Sequence, residues 1–488
     1  MPSQSASAYQ TKAYQILFGL GVLGVGLLLV NSAMSGSYGV SKLILFGMAA
    51  IGIALAIDKN YVVLCPALSV YPLSIPGIPF SAAEIGAISF VSLYFIRLSM
   101  KRESVAPPCP WTWFAWPYFV WAAATYFKNP VGLAMFGSSG MGARYYIDIA
   151  LGFCVLMTYS RVRLSEKQCK YMFWALVCMS LTTVVAAFFA KHAGAASDAD
   201  FMETERLTEY WVEPVVFPLL LLMCRHKVAD ILMSPKLFAT AAFLFLLVLY
   251  SGRRTFAGYV FLAPFILAIL RGKERFLTFV CALAGLIVIG FVVAGQGRIY
   301  ELPGSVQRAL SPLPGKWDRR LENYGTKDVF RDEMIRLAKE EVARNPMFGR
   351  GGLQLSFEEV AWAHNTQSRS HGTQGMAQVG NWHNKFWGMS ADFGLPAGFF
   401  WYLFAFSAVA FSWKKRFYMR QEGARSALAL YYSLLLIYDL TFTMGGSATT
   451  PFARWPQFAF LVALLNGPGD GRTEALTSGT VQIRGTVR

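Results

Sequence analysis

The chain has 488 residues, of which 55% are hydrophobic and 15% charged, and its mean hydropathy is +0.42. A water-soluble chain of this length needs more charge to cover its surface, so the composition excludes an ordinary soluble enzyme and fits a protein that crosses a membrane many times. The formal net charge of +16 does not require nucleic acid as a partner, because the basic residues sit in short clusters between apolar runs, as cytoplasmic loops of membrane proteins do.

In chain order, residues 1–12 are polar and the first apolar run follows at 14–30. Ser32-Ala33-Met34-Ser35 resembles a signal-peptidase site, yet the many later runs favour a retained first helix. Further runs lie at 40–57, 61–75, 82–98, 111–127, 144–160, 170–190, 211–224, 236–250, 255–270 and 275–295, then at 388–412, 424–443 and 449–466. Several are shorter than the roughly 20 residues a span prefers. The expected fold is therefore an all-α polytopic membrane protein with about 12–14 transmembrane helices, the segments 61–75 and 449–466 being re-entrant or half-buried in the lower count.

The loops orient this array. Arg97/Lys101/Arg102, Arg161/Arg163/Lys167/Lys170, Arg225/Lys227/Lys236, Arg271/Lys273/Arg275 and Lys414/Lys415/Arg416/Arg420/Arg425 all fall on one side when the runs are counted, together with both termini. By the positive-inside rule that side is the cytoplasm. The expected organisation is an N-terminal transmembrane bundle over 1–295, one large outer loop over 296–385, C-terminal transmembrane helices over 386–466 and a disordered cytoplasmic tail over 467–488. None of the seven cysteines falls in the outer loop, so no disulfide framework holds it.

One helix is predicted inside that loop, from Asp328 to Ala343. Phe330, Met334, Ala338 and Val342 recur at helical spacing, Arg331, Asp332, Lys339 and Glu340 populate the other side, and Asn345-Pro346 stops it. An amphipathic helix on the outer side lies along the interface or roofs a cavity.

Arginines stand at outer membrane boundaries. Arg144 opens one run with Asp148 four residues on; Arg206 lies just before the run at 211–224; Arg253 and Arg254 occupy a turn squeezed between two runs. Snorkelling or structural pairing is the alternative reading of each. At Arg253-Arg254, two outer cations run against the charge rule, and an anionic substrate would supply the reason, because guanidinium groups grip phosphate oxygens bidentately. His383 marks the return to the membrane, flanked by Trp382 and Asn384, and an imidazole there suits a general base near neutral pH. His364 and His371 read as loop residues, and Asp198, Asp200, Glu203 and Glu205 as a solvated acidic loop; no metal is assigned and no cofactor is expected. Neither a Walker loop nor a nucleophile elbow is present.

His383-Asn384, the nine residues Lys385 to Phe393, and then Gly394-Leu395-Pro396 resemble the signature of the O-antigen ligase and polymerase superfamily. The family's glycine at the third position after Gly394 is Ala397 here, with Gly398 next. Arg331-Asp332 through Asn345-Pro346-Met347-Phe348-Gly349-Arg350-Gly351 resembles its loop helix and glycine turn, and Tyr250-Ser251-Gly252-Arg253-Arg254-Thr255 its serine-arginine turn. Arg206-Leu207-Thr208 with Pro214 is similar more loosely, since Val215 replaces the usual asparagine.

The resemblance implies a multi-pass glycosyltransferase of the bacterial inner membrane, its site facing the periplasm. It would move a glycan from undecaprenyl diphosphate to a glycolipid or glycan acceptor. His383 would serve as base, Arg206 and Arg254, with Arg253 and Arg144, would hold the diphosphate, and Asn384 and Trp382 would support them. Trp382 and Trp387 would offer aromatic faces to sugar. Partners are then the lipid-linked donor, the acceptor and membrane lipids. A polymerase joining lipid-linked repeats is the alternative, and an anionic-solute transporter the remoter one.

Overall fold

The computed structural model describes residues 60–63, 82–100, 109–128, 143–192, 212–250, 254–272, 275–311, 313–318, 329–351, 382, 384–441 and 451–465. Every regular element among them is helical. In order they are α1 (Ala82–Ser99), a 3₁₀ turn (Pro110–Ala115) running into α2 (Trp116–Lys128), α3 (Ala143–Tyr159), α4 (Glu166–His192), α5 (Val212–Arg225), α6 (Val228–Met233), α7 (Pro235–Tyr250) and α8 (Arg254–Arg271). Then come α9 (Arg275–Gly295), α10 (Gly304–Leu310), α11 (Val329–Arg344), α12 (Lys385–Phe393), α13 (Leu395–Lys414), α14 (Arg416–Met419), α15 (Ala424–Thr441) and α16 (Pro451–Leu465). The predicted loop helix is α11, displaced by one residue. The apolar runs before residue 82 lie outside the described residues, apart from a 3₁₀ turn at Asn60–Val63.

Two differences from the sequence reading have physical reasons. The run at 388–412 is not one helix, because Gly394 sits at φ 88°, a conformation glycine adopts freely, and splits it into α12 and α13. Pro396 follows in the first turn of α13, where its missing N–H costs nothing. The polar connection after α5 also holds a short helix, α6, begun where the Asp230 carboxylate accepts from the Lys227 N–H.

α13 is long and apolar enough to cross a membrane, and shorter apolar helices run through α3, α5, α7, α8 and α9. α9 carries a surface that lipid would suit. Phe276, Phe279, Leu283, Ile287 and Phe291 all stand exposed along it, and a water-soluble protein does not leave so much contiguous apolar surface open. The interior is one large apolar cluster in which α3 packs along α16 and against α1 and α2, while α15 contacts α4, α5, α8, α13 and α16; a second, smaller cluster gathers Leu249, Ala257, Val293, Ala309, Leu310 and Trp317.

At one end of the bundle the basic loops meet. Arg271 at the end of α8 donates to the Met223 and His226 carbonyls, satisfying the last carbonyls of α5 (3.1 and 3.0 Å). Glu166 accepts from the Ala424 N–H at the start of α15 (2.6 Å), Arg425 donates back to the Leu164 carbonyl, and Lys227 faces Glu422 at 3.8 Å. Four of the five basic clusters thus share one end, as the count of apolar runs requires.

Candidate functional site

The opposite end is organised around α12. Its first turn is built by Asn384, an extended residue whose side-chain oxygen accepts from the Trp387 N–H at 3.0 Å. Seven of its nine residues are buried, Lys385 among them. The helix is held at both ends by ion pairs. Near its start, the Lys385 ammonium pairs with Asp439 on α15 and lies 4.7 Å above the Trp401 ring. Near its end, Asp392 accepts from the Arg350 Nε (2.9 Å) and from the Trp382 indole N–H (3.1 Å). The Arg350 guanidinium also lies over the Trp382 ring, 4.7 Å from its centroid.

Arg350 belongs to the turn that follows α11, and backbone bonds seat this turn on α12. The Arg350 N–H donates to the Ala391 carbonyl (2.9 Å), Gly351 to Asp392 (3.0 Å), and Leu395 to Pro346 (2.9 Å). A Cβ on Gly394 would overlap the Met347 carbonyl, and one on Gly349 (φ 60°) would come within 2.7 Å of the Asp392 carbonyl oxygen, so both contacts exist because these residues are glycine. Phe348 stacks on Trp121 of α2 (5.2 Å between centroids, 6° between planes), whose indole N–H donates to the Phe393 carbonyl (3.0 Å). α11 lies on α12 through Met334, Ala338 and Val342, all buried, and Lys339 sits 5.2 Å from the Trp387 ring.

The positions expected from the sequence distribute as follows. His383, Arg206 and Arg253 lie outside the described residues, as do the side chains of Arg144 and Arg254. The helix starts carrying the last two are nevertheless brought to this end. Tyr146, two residues beyond Arg144, meets Phe393 edge-on at 5.5 Å. Tyr259, five beyond Arg254, lies 4.3 Å from Tyr438, the neighbour of Asp439. Trp382 departs from expectation: at 2% exposure and covered by Arg350 it offers no face to a sugar, whereas Trp387 stays partly exposed. Its indole N–H needs the Asp392 acceptor, which fixes it inside.

Lys385, Asp392, Asp439 and Arg350 were missed by sequence reasoning. A signal was available, since Asp392 and Asp439 each interrupt an apolar run, and a carboxylate there needs a cationic partner.

A helical bundle with lipid-compatible helices and an ion-paired polar platform at one end fits a membrane protein with a site outside its apolar core. Residues 238–402, from α7 into α13, match the family described as O-antigen ligase, and the match supports the O-antigen ligase superfamily read from His383-Asn384 and Gly394. That family suggests an O-antigen ligase- or polymerase-like membrane enzyme. A comparison with curated proteins gives no match.

Proposed function

We propose that this protein is a polytopic glycosyltransferase of the bacterial inner membrane, acting as a ligase at the periplasmic face. It takes a glycan from undecaprenyl diphosphate and transfers it en bloc to an acceptor sugar. The observation that carries this reading is the extent of the family match. Residues 238–402 contain, in order, the Arg254 start of α8, the loop helix α11 and the His383-Asn384 entry to α12. The bundle over 1–295, the periplasmic loop over 296–385 and the helices over 386–466 then form one array of 12–14 spans around that entry, with 467–488 as a cytoplasmic tail.

In the reaction, the acceptor hydroxyl oxygen attacks the anomeric carbon of the donor sugar. The bond from that carbon to the diphosphate oxygen breaks, undecaprenyl diphosphate leaves, and the hydroxyl proton passes to the imidazole of His383. Arg254 and Arg206, with Arg253 and Arg144, hold the diphosphate and stabilise the charge that grows on it. Asn384 contributes by starting α12 directly after the histidine, and Trp382 by filling the space before it. No metal is needed, because the diphosphate is already a good leaving group and guanidinium groups supply the countercharge.

Two measurements test this. Deleting the protein should strand long glycan on the lipid carrier; single repeats stranded there would mean a polymerase. In vitro, His383→Ala should slow transfer roughly 10²- to 10⁴-fold, Arg254→Lys should lose most transfer while still inserting, and EDTA should have no effect. Full transfer by His383→Ala, or reversible arrest by EDTA, would refute the scheme.

A further inference from the structure

We infer that Arg350 and Asp392 are positioning residues that hold the entry to α12, and with it His383, against the turn after α11. The inference rests on the histidine role proposed above but names residues that role does not include. Three observations converge on it. Asp392 takes both the Arg350 Nε–H and the Trp382 N–H on the same oxygen, so one carboxylate ties the turn after α11 to the residue immediately before His383. Asn384, immediately after His383, is fixed as the first-turn cap of α12. The backbone bonds from Arg350 and Gly351 to Ala391 and Asp392 make turn and helix move together.

His383 stands between Trp382 and Asn384 in the sequence, so a pair that fixes both neighbours is suited to act on the proposed base. The pair is therefore a device for setting where an imidazole stands relative to a bound acceptor. Arg350 suits the task better than lysine would. It bonds Asp392 through Nε while its guanidinium carbon stands over the Trp382 ring, and a lysine cannot do both. Its Nη2 is buried and meets no acceptor among the described residues, so the guanidinium is held there by these two contacts.

The test uses the full chain in lipid nanodiscs with a lipid diphosphate-linked glycan and a glycan acceptor. Asp392→Asn and Arg350→Leu should lower kcat on the order of 10- to 100-fold with the donor KM little changed, as expected when a reacting group is displaced by about 1 Å. Arg350→Lys should regain part of the loss. In a second arm, a cysteine at position 383 in a cysteine-free background should react several-fold faster with an impermeant maleimide once Asp392→Asn is added. Wild-type kcat in both variants, or an unchanged labelling rate, overturns the inference. If Asp392→Asn does not accumulate, Arg350→Lys decides both arms by the same criteria. The labelling arm needs no turnover, so full transfer by His383→Ala would remove the histidine's role and leave the positioning claim to be decided separately.

Discussion

Removing one partner of the Lys385–Asp439 pair should cost far more than removing both. The side chains are 7% and 9% exposed, and they join α12 to α15 across 54 residues of sequence. Such a pair belongs to the buried class. Truncating Asp439 leaves a desolvated ammonium without its carboxylate, at a cost of about 3–5 kcal/mol. The Trp401 face 4.7 Å away recovers only part of that, on the order of 1–2 kcal/mol for a desolvated cation–π contact. Asp439→Ala should therefore lower the melting temperature in detergent strongly, and membrane abundance with it. Replacing both residues by apolar ones of similar volume, Lys385→Met with Asp439→Leu, removes both desolvation costs at once. That double variant should melt near the wild type or above it. The measurement is thermal unfolding of the wild type, Lys385→Met, Asp439→Leu and the double variant, arranged as a mutant cycle, with Asp439→Ala beside them. If Asp439→Ala melts with the wild type, Lys385 is solvated in the native protein and the argument from burial fails.

Other outcomes follow from the same geometry. Gly394→Ala should destabilise by at least about 1–3 kcal/mol, since alanine at φ 88° is strained even before its Cβ meets the Met347 carbonyl, and reduced membrane level with lower thermal stability is the readout. Arg336 on the exposed side of α11 pairs with Glu333 and Glu340, and Arg336→Ala should leave thermal stability almost unchanged. Arg336 holds the Glu333 carboxyl below its usual range. The small stabilisation from that pairing should therefore be present above the ordinary carboxylate pKa and be lost as pH falls through the depressed one, a difference visible by comparing wild type and Arg336→Ala from neutral to acid pH.

Much of the fold was legible because apolar run length and the placement of basic residues are local properties. The runs at 236–250, 255–270 and 275–295 reappear as α7, α8 and α9 within a residue or two, and the repeat of Met334, Ala338 and Val342 gave α11 together with its buried face. The break at Gly394 was less legible. Hydropathy averages over a glycine, and what forces the break is the Met347 carbonyl, 47 residues away in sequence. Trp382 shows the same limit. An aromatic beside a histidine reads as a sugar platform, and only the position of Arg350, which sequence alone does not supply, shows that its face is already covered.

The two ion pairs of α12 differ in what they join, and this separates stability from transfer. Lys385–Asp439 fastens the helix to α15, within the bundle, so its loss should loosen the whole platform and register as lower melting temperature. Arg350–Asp392 fastens the helix to the turn after α11, a connection the backbone bonds at Ala391, Asp392 and Leu395 already make. Removing the side-chain contact there leaves that backbone seat intact. What it frees is Trp382, whose indole N–H donates to Asp392 and whose ring carries the Arg350 guanidinium. A helix nine residues long cannot hold its own entry in place by its own stability, since isolated helices of that length are marginal. Such precision has to come from anchors at either end, and in this protein they are charged groups from α15 and from the turn after α11.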